Sequence, residues 1–191
     1  MYKAIIFDCF DVLVSNGLPL FVKQYLHSTL DSQSSILLLE ESLNAGRIDY
    51  ETFLLKISEI GNVPIDETRR ILDDNKPDDE LFDYISKNLK PHYKLGMLSN
   101  AGDDWLDEMM GADRRLLFDV IVLSYQVSLT KPQAEIYTLT AQKLGVEPNE
   151  CIMIDDKERY CEGARKAGMQ AIQYQTVNQM INELEVVLAS S

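Results

Sequence analysis

Ala4-Ile5-Ile6-Phe7-Asp8, near the start of the chain, sets four consecutive apolar residues against one carboxylate. A continuous apolar run of this length suits a strand buried on both faces of a parallel sheet, which leaves Asp8 at the strand's carboxyl end. The pattern returns three times. Leu95-Gly96-Met97-Leu98 ends at Ser99-Asn100, and Val120-Ile121-Val122-Leu123 ends at Ser124, followed by Thr130-Lys131-Pro132. Cys151-Ile152-Met153-Ile154 ends at Asp155-Asp156, and a fifth run, Gln170 to Tyr174, follows Gly168.

Helical patterns separate the later runs. Pro132 to Leu144 carries Tyr137, Ala141 and Leu144 on one stripe, with Gly145 as a C-terminal cap. Residues 158–167 form the next helix, and Thr176-x-x-Gln179 has capping-box spacing and opens a helix to about Leu188. Strand alternating with helix predicts an α/β fold with crossover connections. Asp8 and Ser99, however, lie 91 residues apart, where a strand–helix–strand unit needs only ~30. Helical candidates at 18–30, 35–43, 49–60, 66–72 and 77–89 fill the surplus, with Asp49 and Asp66 as N-caps. A helical insertion over about 15–90 is therefore expected, placed after strand one in a core formed by 1–14 and 91–191.

The chain of 191 residues carries 18 basic and 31 acidic side chains, a net charge of −13. Such a balance argues against nucleic acid and anionic membrane surfaces as partners, since both need basic patches. An anionic small substrate stays open if a metal ion or a focused lysine supplies local positive charge. Cys9, Cys151 and Cys161 make an odd number without C-x-x-C spacing, so neither a disulfide framework nor a zinc site is expected. Asp8 interrupts what a signal peptide would continue as an apolar run, and the longest obvious apolar run is Ile36-Leu37-Leu38-Leu39. A cytoplasmic protein is the expectation.

Ligands of open parallel sheets bind beyond the carboxyl ends of the strands, where strand order reverses. Those ends present Asp8, Ser99-Asn100, Lys131 and Asp155-Asp156. One carboxylate, one hydroxyl with an amide, one ammonium and one acidic pair suit phosphoryl transfer. Asp8 can attack phosphorus and form an aspartyl-phosphate. Carboxylates at the site can hold a hard cation such as Mg2+. Ser99 and Asn100 can donate to phosphoryl oxygens, while Lys131 offsets charge.

Four motifs carry a resemblance to the haloacid dehalogenase-like hydrolases: Phe7-Asp8-Cys9-Phe10-Asp11-Val12-Leu13, Leu98-Ser99-Asn100, Lys131-Pro132, and Ile154-Asp155-Asp156 with Glu162-Gly163-Ala164-Arg165 and Ala167-Gly168-Met169. They occur in the family's order and span the chain. Asn44-Ala45-Gly46-Arg47-Ile48-Asp49 resembles the turn between cap helices of the short-cap subgroup, which includes sugar-phosphate phosphatases. The resemblance implies a Rossmann-like parallel sheet with helices on both faces and a small helical cap. It implies Asp8 as nucleophile, with Ser99, Asn100 and Lys131 as its catalytic companions. It also implies Mg2+ on Asp8, Asp156 and the Phe10 backbone carbonyl, with Asp155 acting directly or through a water. The expected activity is a Mg2+-dependent phosphatase of a small phosphorylated metabolite.

Two positions depart from the family pattern. Phe10 stands where most family phosphatases have an acid–base aspartate, and general acid–base help is worth typically ~10²–10⁴-fold. Asp11 is adjacent but, in extended chain, points to the other face. Tyr160 replaces an asparagine of the subgroup. A 2-haloacid dehalogenase is the alternative enzyme, since halide leaves without a proton, though Asp155-Asp156 would repel a carboxylate substrate. A non-catalytic phospho-ligand binder is a further alternative. A receiver domain is set aside because its acidic pair is N-terminal, and a cysteine phosphatase because Ser15 stands where its arginine is needed. His27, His92, Trp105, Met109 and Met110 are expected to serve packing or solvation, and Arg47 a solvated turn.

Overall fold

A computed structural model describes residues 1–26 and 30–190, so His27 lies outside the described residues. In chain order the elements are β1 (Ala4–Phe7), α1 (Gly17–Tyr25), α2 (Leu30–Asn44), α3 (Tyr50–Gly61), α4 (Ile65–Leu72), α5 (Asp79–Tyr84) and β2 (Lys94–Ser99). There follow α6 (Leu106–Met110), α7 (Ala112–Arg115), β3 (Val120–Leu123), α8 (Ser124–Val127), α9 (Ala134–Leu144), β4 (Cys151–Asp155), α10 (Glu158–Lys166), β5 (Gln170–Gln173) and α11 (Val177–Ala189). The strands form one sheet in the order β3-β2-β1-β4-β5, with every pair parallel. This is the expected Rossmann-like α/β architecture.

Register places the chemistry. Phe7 pairs with Met97 on one side and Ile154 on the other, so Asp8, Ser99 and Asp155 emerge at one edge of the sheet. Strand order reverses between β1 and β4, and the Asp8 N–H donates to the Ile154 carbonyl at 2.9 Å across that boundary. Both faces are covered. Ile5, Phe7, Leu95, Met97, Ile152 and Ile154 face one apolar cluster, while Ala4, Ile6, Leu98, Cys151 and Met153 face the other. Each large apolar side chain so buried is worth about 1.5–3 kcal/mol, which anchors the strand ends against the pull of their buried charges.

The helices α1–α4 pack around their own cluster, including Phe21, Phe53, Leu54, Ile57 and Ile71. Asp49 caps α3, accepting from the Thr52 N–H at 2.8 Å. Asp66 is not the cap of α4: Pro64 holds that position, and Asp66 sits inside the first turn, where a carboxylate still favours the helix dipole. The first cap helix stops at Tyr25, short of the expected Leu30, and the second begins at Leu30 rather than Ser35. Pro132 lies in a turn in which the Gln133 N–H donates to the Thr130 carbonyl, so α9 starts only at Ala134. Gly145 caps α9 in the left-handed region, and Thr176 and Gln179 form the capping box of α11.

The segment expected as the last cap helix packs elsewhere. Leu81, Phe82, Ile85 and Leu89 join the cluster on one face of the sheet, while the α1–α4 cluster ends at Leu72. The two connections between sheet and insertion run side by side. The Ser15 N–H donates to the Lys76 carbonyl at 2.8 Å, and the Asp78 N–H to the Leu13 carbonyl at 2.9 Å. No helix among the described residues is long and apolar enough to cross a membrane.

Candidate active site

A cavity of about 440 Å³ lies over the carboxyl ends of the strands, walled by the insertion above and reaching Asp8 and Lys131 below. Asp8 is only 6% exposed and Lys131 only 3%. The Lys131 ammonium stands 2.8 Å from Asp8 Oδ1 and 2.5 Å from Asp155 Oδ2. The Cys9 N–H also donates to Asp8 Oδ1, at 2.7 Å. Asp155 is held from two sides, because its Oδ1 accepts from the Lys157 N–H at 3.0 Å.

Burial, with Asp155 beside it, pushes Asp8 up to about 6 despite Lys131. Burial and then the Asp8 charge push Asp156 to about 6 as well. Burial alone would depress Lys131, but the Asp155 and Asp8 carboxylates more than offset it and hold the ammonium charged. Burial first, then the Asp8 charge, drives the Cys9 thiol upward, so it is no nucleophile.

Carboxylate oxygens of Asp8, Asp155 and Asp156 all lie within 4.8 Å of one another. Asp156 Oδ1 is buried with no hydrogen-bond partner, a costly state for a carboxylate. An orphaned anionic oxygen beside a second raised carboxylate fits a hard divalent cation. Ser99 Oγ is likewise buried and unpartnered.

Asn100 departs from its expected task. Its side-chain Oδ1 accepts from the Lys131 N–H at 2.8 Å and its Nδ2 donates to the Lys131 carbonyl at 3.1 Å. The amide therefore holds the Lys131 loop instead of standing free for a phosphoryl oxygen. Gly163 of α10 lets that loop settle: a Cβ there would lie 2.8 Å from the Pro132 carbonyl oxygen and 2.9 Å from the Tyr137 hydroxyl.

A family model described as haloacid dehalogenase-like hydrolase matches residues 2–168. The chain belongs to the haloacid dehalogenase-like hydrolases. It is 36% identical over 58 residues to a fructose-1-phosphate phosphatase of Escherichia coli, a match covering 30% of this chain and 31% of that one. The curated relatives are matched over only 17% to 42% of their length. A predicted family hydrolase from Porphyromonas gingivalis superposes with a TM-score of 0.74 at 23% identity, covering 98% of both chains. A family enzyme from Bacteroides thetaiotaomicron, solved with magnesium and inorganic phosphate, superposes at 0.71 with 21% identity, covering 93% of this chain and 96% of that one. At these identities both structures establish the fold.

In this haloacid dehalogenase-like hydrolase, Phe10 lines the cavity beside Asp8. Asp11 is not in extended chain: its φ is 60°, a left-handed turn that aspartate tolerates better than most residues. Its carboxylate accepts from Asn16 Nδ2 at 3.1 Å, and burial raises its pKa. Tyr160 is buried under three cations, with Lys131 and Arg159 each 4.7 Å and Lys157 5.7 Å from the ring centroid. Arg47 is exposed in the turn between α2 and α3, and His92 is exposed on the surface.

Sequence reasoning missed the roles of four residues. Ser124 Oγ accepts from the Ala101 N–H at 3.0 Å and donates to the Asn44 carbonyl at 2.6 Å, tying sheet to insertion. Lys157 faces the cavity 3.9 Å from Glu40 of α2, and its place directly after the acidic pair was the available signal. Trp105, for which packing was the favoured reading, lines the cavity against Tyr50, and Met109 lines it too.

Proposed function

We propose that this protein is a Mg2+-dependent phosphatase of a small phosphorylated metabolite that works through an aspartyl-phosphate on Asp8. The observation that carries the reading is the Asp8 carboxylate on the cavity floor, clamped through Oδ1 by Lys131 and the Cys9 N–H. Oδ2 is then the oxygen that attacks phosphorus, breaking the ester P–O bond. Water next attacks the acyl phosphate, releasing inorganic phosphate and the free carboxylate. Lys131 keeps Asp8 ionised and draws the phosphoryl group, Asn100 positions Lys131, and the orphaned Ser99 hydroxyl donates to a phosphoryl oxygen.

Asp8, Asp156 and the Phe10 carbonyl would hold Mg2+, while Asp155, held by Lys131 and the Lys157 N–H, orients the lysine. Bound there, Mg2+ offsets the charge of the phosphoryl group. The phosphatase kinship of the Escherichia coli relative supports this substrate class. The packing supports a cap ending near residue 76, shorter than the 15–90 expected from sequence, with 77–90 joined to the core. The insertion over the cavity excludes water from the site.

Phe10 favours one second reading, hydrolysis of a carbon–halogen bond by Asp8, because halide needs no proton. The test is a substrate screen with and without Mg2+, covering phosphomonoesters and 2-chloropropionate. Mg2+-dependent phosphate release that disappears in Asp8→Asn is the expected result. Chloride release without phosphate release would replace the phosphatase by a dehalogenase.

A further inference from the structure

Resting on the phosphatase reading, we infer that the substrate is the phosphomonoester of a planar, phenol-like alcohol. Three features converge on it.

The first is the wall of the cavity. Phe10, Tyr50, Phe53, Trp105 and Tyr160 all line it. Tyr50 opens α3 in the insertion and Trp105 precedes α6 on the sheet side, yet their rings meet at 5.0 Å with planes inclined by 59°. This aromatic wall crosses the boundary between the two bodies. Tyr50 is fixed by a hydrogen bond from its hydroxyl to Asp73. Phe53 and Tyr160 are buried behind the wall, while Phe10, Tyr50 and Trp105 are only half-buried and offer faces and edges to another ring, the geometry aromatic pairs prefer.

The second is the state of the polar groups around that wall. Arg69 pairs with Glu51 at 2.6 Å, and Asp73 takes the Tyr50 hydroxyl. Asn16 is engaged through both amide atoms, donating to Asp11 and accepting from the Leu18 N–H. Asn100 is engaged through both of its own by Lys131. Asn75 Oδ1 lines the same cavity buried and without a hydrogen-bond partner, and Asn44 and Glu108 line it too, so the ring that enters carries polar substituents of its own.

The third is the leaving group. Phe10 lines the cavity with Asp8, at the position where the resemblance implies an acid–base aspartate, and a phenyl ring has no proton to give. A phenol has a pKa of about 10, while a simple alcohol lies nearer that of water, about 15.7. Asp8 Oδ2 forms its bond to phosphorus as the P–O(aryl) bond breaks. The aryloxide leaves with the electron pair and takes its proton from solvent. Water then hydrolyses the acyl phosphate and gives its proton to solvent. The feature that removes the acid thus also adds to the wall that receives the ring.

Trp105 is the chain's only tryptophan, so its fluorescence reports on the cavity directly. Titration of the wild-type protein with phenylphosphonate, a non-hydrolysable aryl probe, should change the emission and bind at least about fivefold tighter than methylphosphonate, the scale of one aromatic contact. In parallel, kcat/KM is measured with Mg2+ for phenyl phosphate, glucose 6-phosphate and acetyl phosphate, which has a good leaving group but no ring. Phenyl phosphate should exceed glucose 6-phosphate by at least about tenfold. Trp105→Ala and, independently, Tyr50→Leu should each lower the phenyl-to-acetyl ratio about fivefold, whereas a merely structural loss lowers both activities together. Glucose 6-phosphate equal to phenyl phosphate, equal binding of the two phosphonates, or an unchanged ratio in both variants would overturn the aromatic substrate and leave the phosphatase standing. Failure of all three compounds, acetyl phosphate included, would overturn the phosphatase reading itself.

Discussion

The side-chain amide of Asn100 holds Lys131 by its backbone on both sides, accepting from the N–H at 2.8 Å and donating to the carbonyl at 3.1 Å. Asn100→Ala strands both groups in a partly buried loop and should cost about 1–3 kcal/mol in urea unfolding. Asn100→Asp keeps the acceptor but sets a carboxylate against the Lys131 carbonyl, so it should recover only part of the loss. Turnover should fall in both, since each displaces the ammonium from Asp8.

Lys131→Met leaves two buried carboxylates without their shared cation. Removing one partner of a buried ion pair typically costs about 3–5 kcal/mol. The double variant Lys131→Met/Asp8→Asn should be more stable than the single, because one orphaned charge is gone. Chemical denaturation of the three proteins checks this, and equal stability of single and double variants would contradict it.

Asp8 and Asp156 both titrate near 6 when folded, above an ordinary value of 3.8. The native state binds protons more tightly than the unfolded chain, so the stability these groups contribute is fully present below about pH 4 and is lost as pH rises through 6. Metal-free Asp156→Asn should match the wild type at acid pH and melt higher than it above neutrality. Millimolar Mg2+ should raise the wild-type Tm at neutral pH, by an amount growing with log concentration, and leave the variant nearly unmoved. Thermal melts with and without chelator decide both points.

Phe10→Asp should raise turnover of alkyl phosphates by more than that of aryl phosphates, within the ~10²–10⁴-fold typical of a positioned acid. Asp8→Asn should abolish both. Steady-state kinetics across leaving groups provides the check, and equal gains for both ester classes would show that Phe10 does not limit departure.

The sheet was legible in the sequence because burial on both faces leaves unbroken apolar runs, and each run's terminal polar residue marks the site edge. Asp49, Thr176 and Gly145 were legible too, since caps are local chemistry. Asp66 was misread because Pro64, two residues earlier, already ends the extended chain. Asp11 was misread because a left-handed turn at a non-glycine leaves no trace in an apolar pattern. Asn100's hold on Lys131 spans 31 positions and Ser124's on Asn44 spans 80. Such contacts exist only once the sheet has brought the strands together. The helix at 79–84 was placed in the chain correctly, but periodicity does not say which apolar body it joins.

Gly163 touches neither the cavity floor nor any charged group, yet the smallest possible change there would drive a methyl into the Pro132 carbonyl and the Tyr137 hydroxyl. The residue it would dislodge through that contact is Lys131, the neighbour of Pro132. Substitution at Gly163 therefore disturbs the lysine's position without any chemistry of its own. In a saturation scan, this position should tolerate few residues while scoring as an unremarkable helix interior by hydropathy.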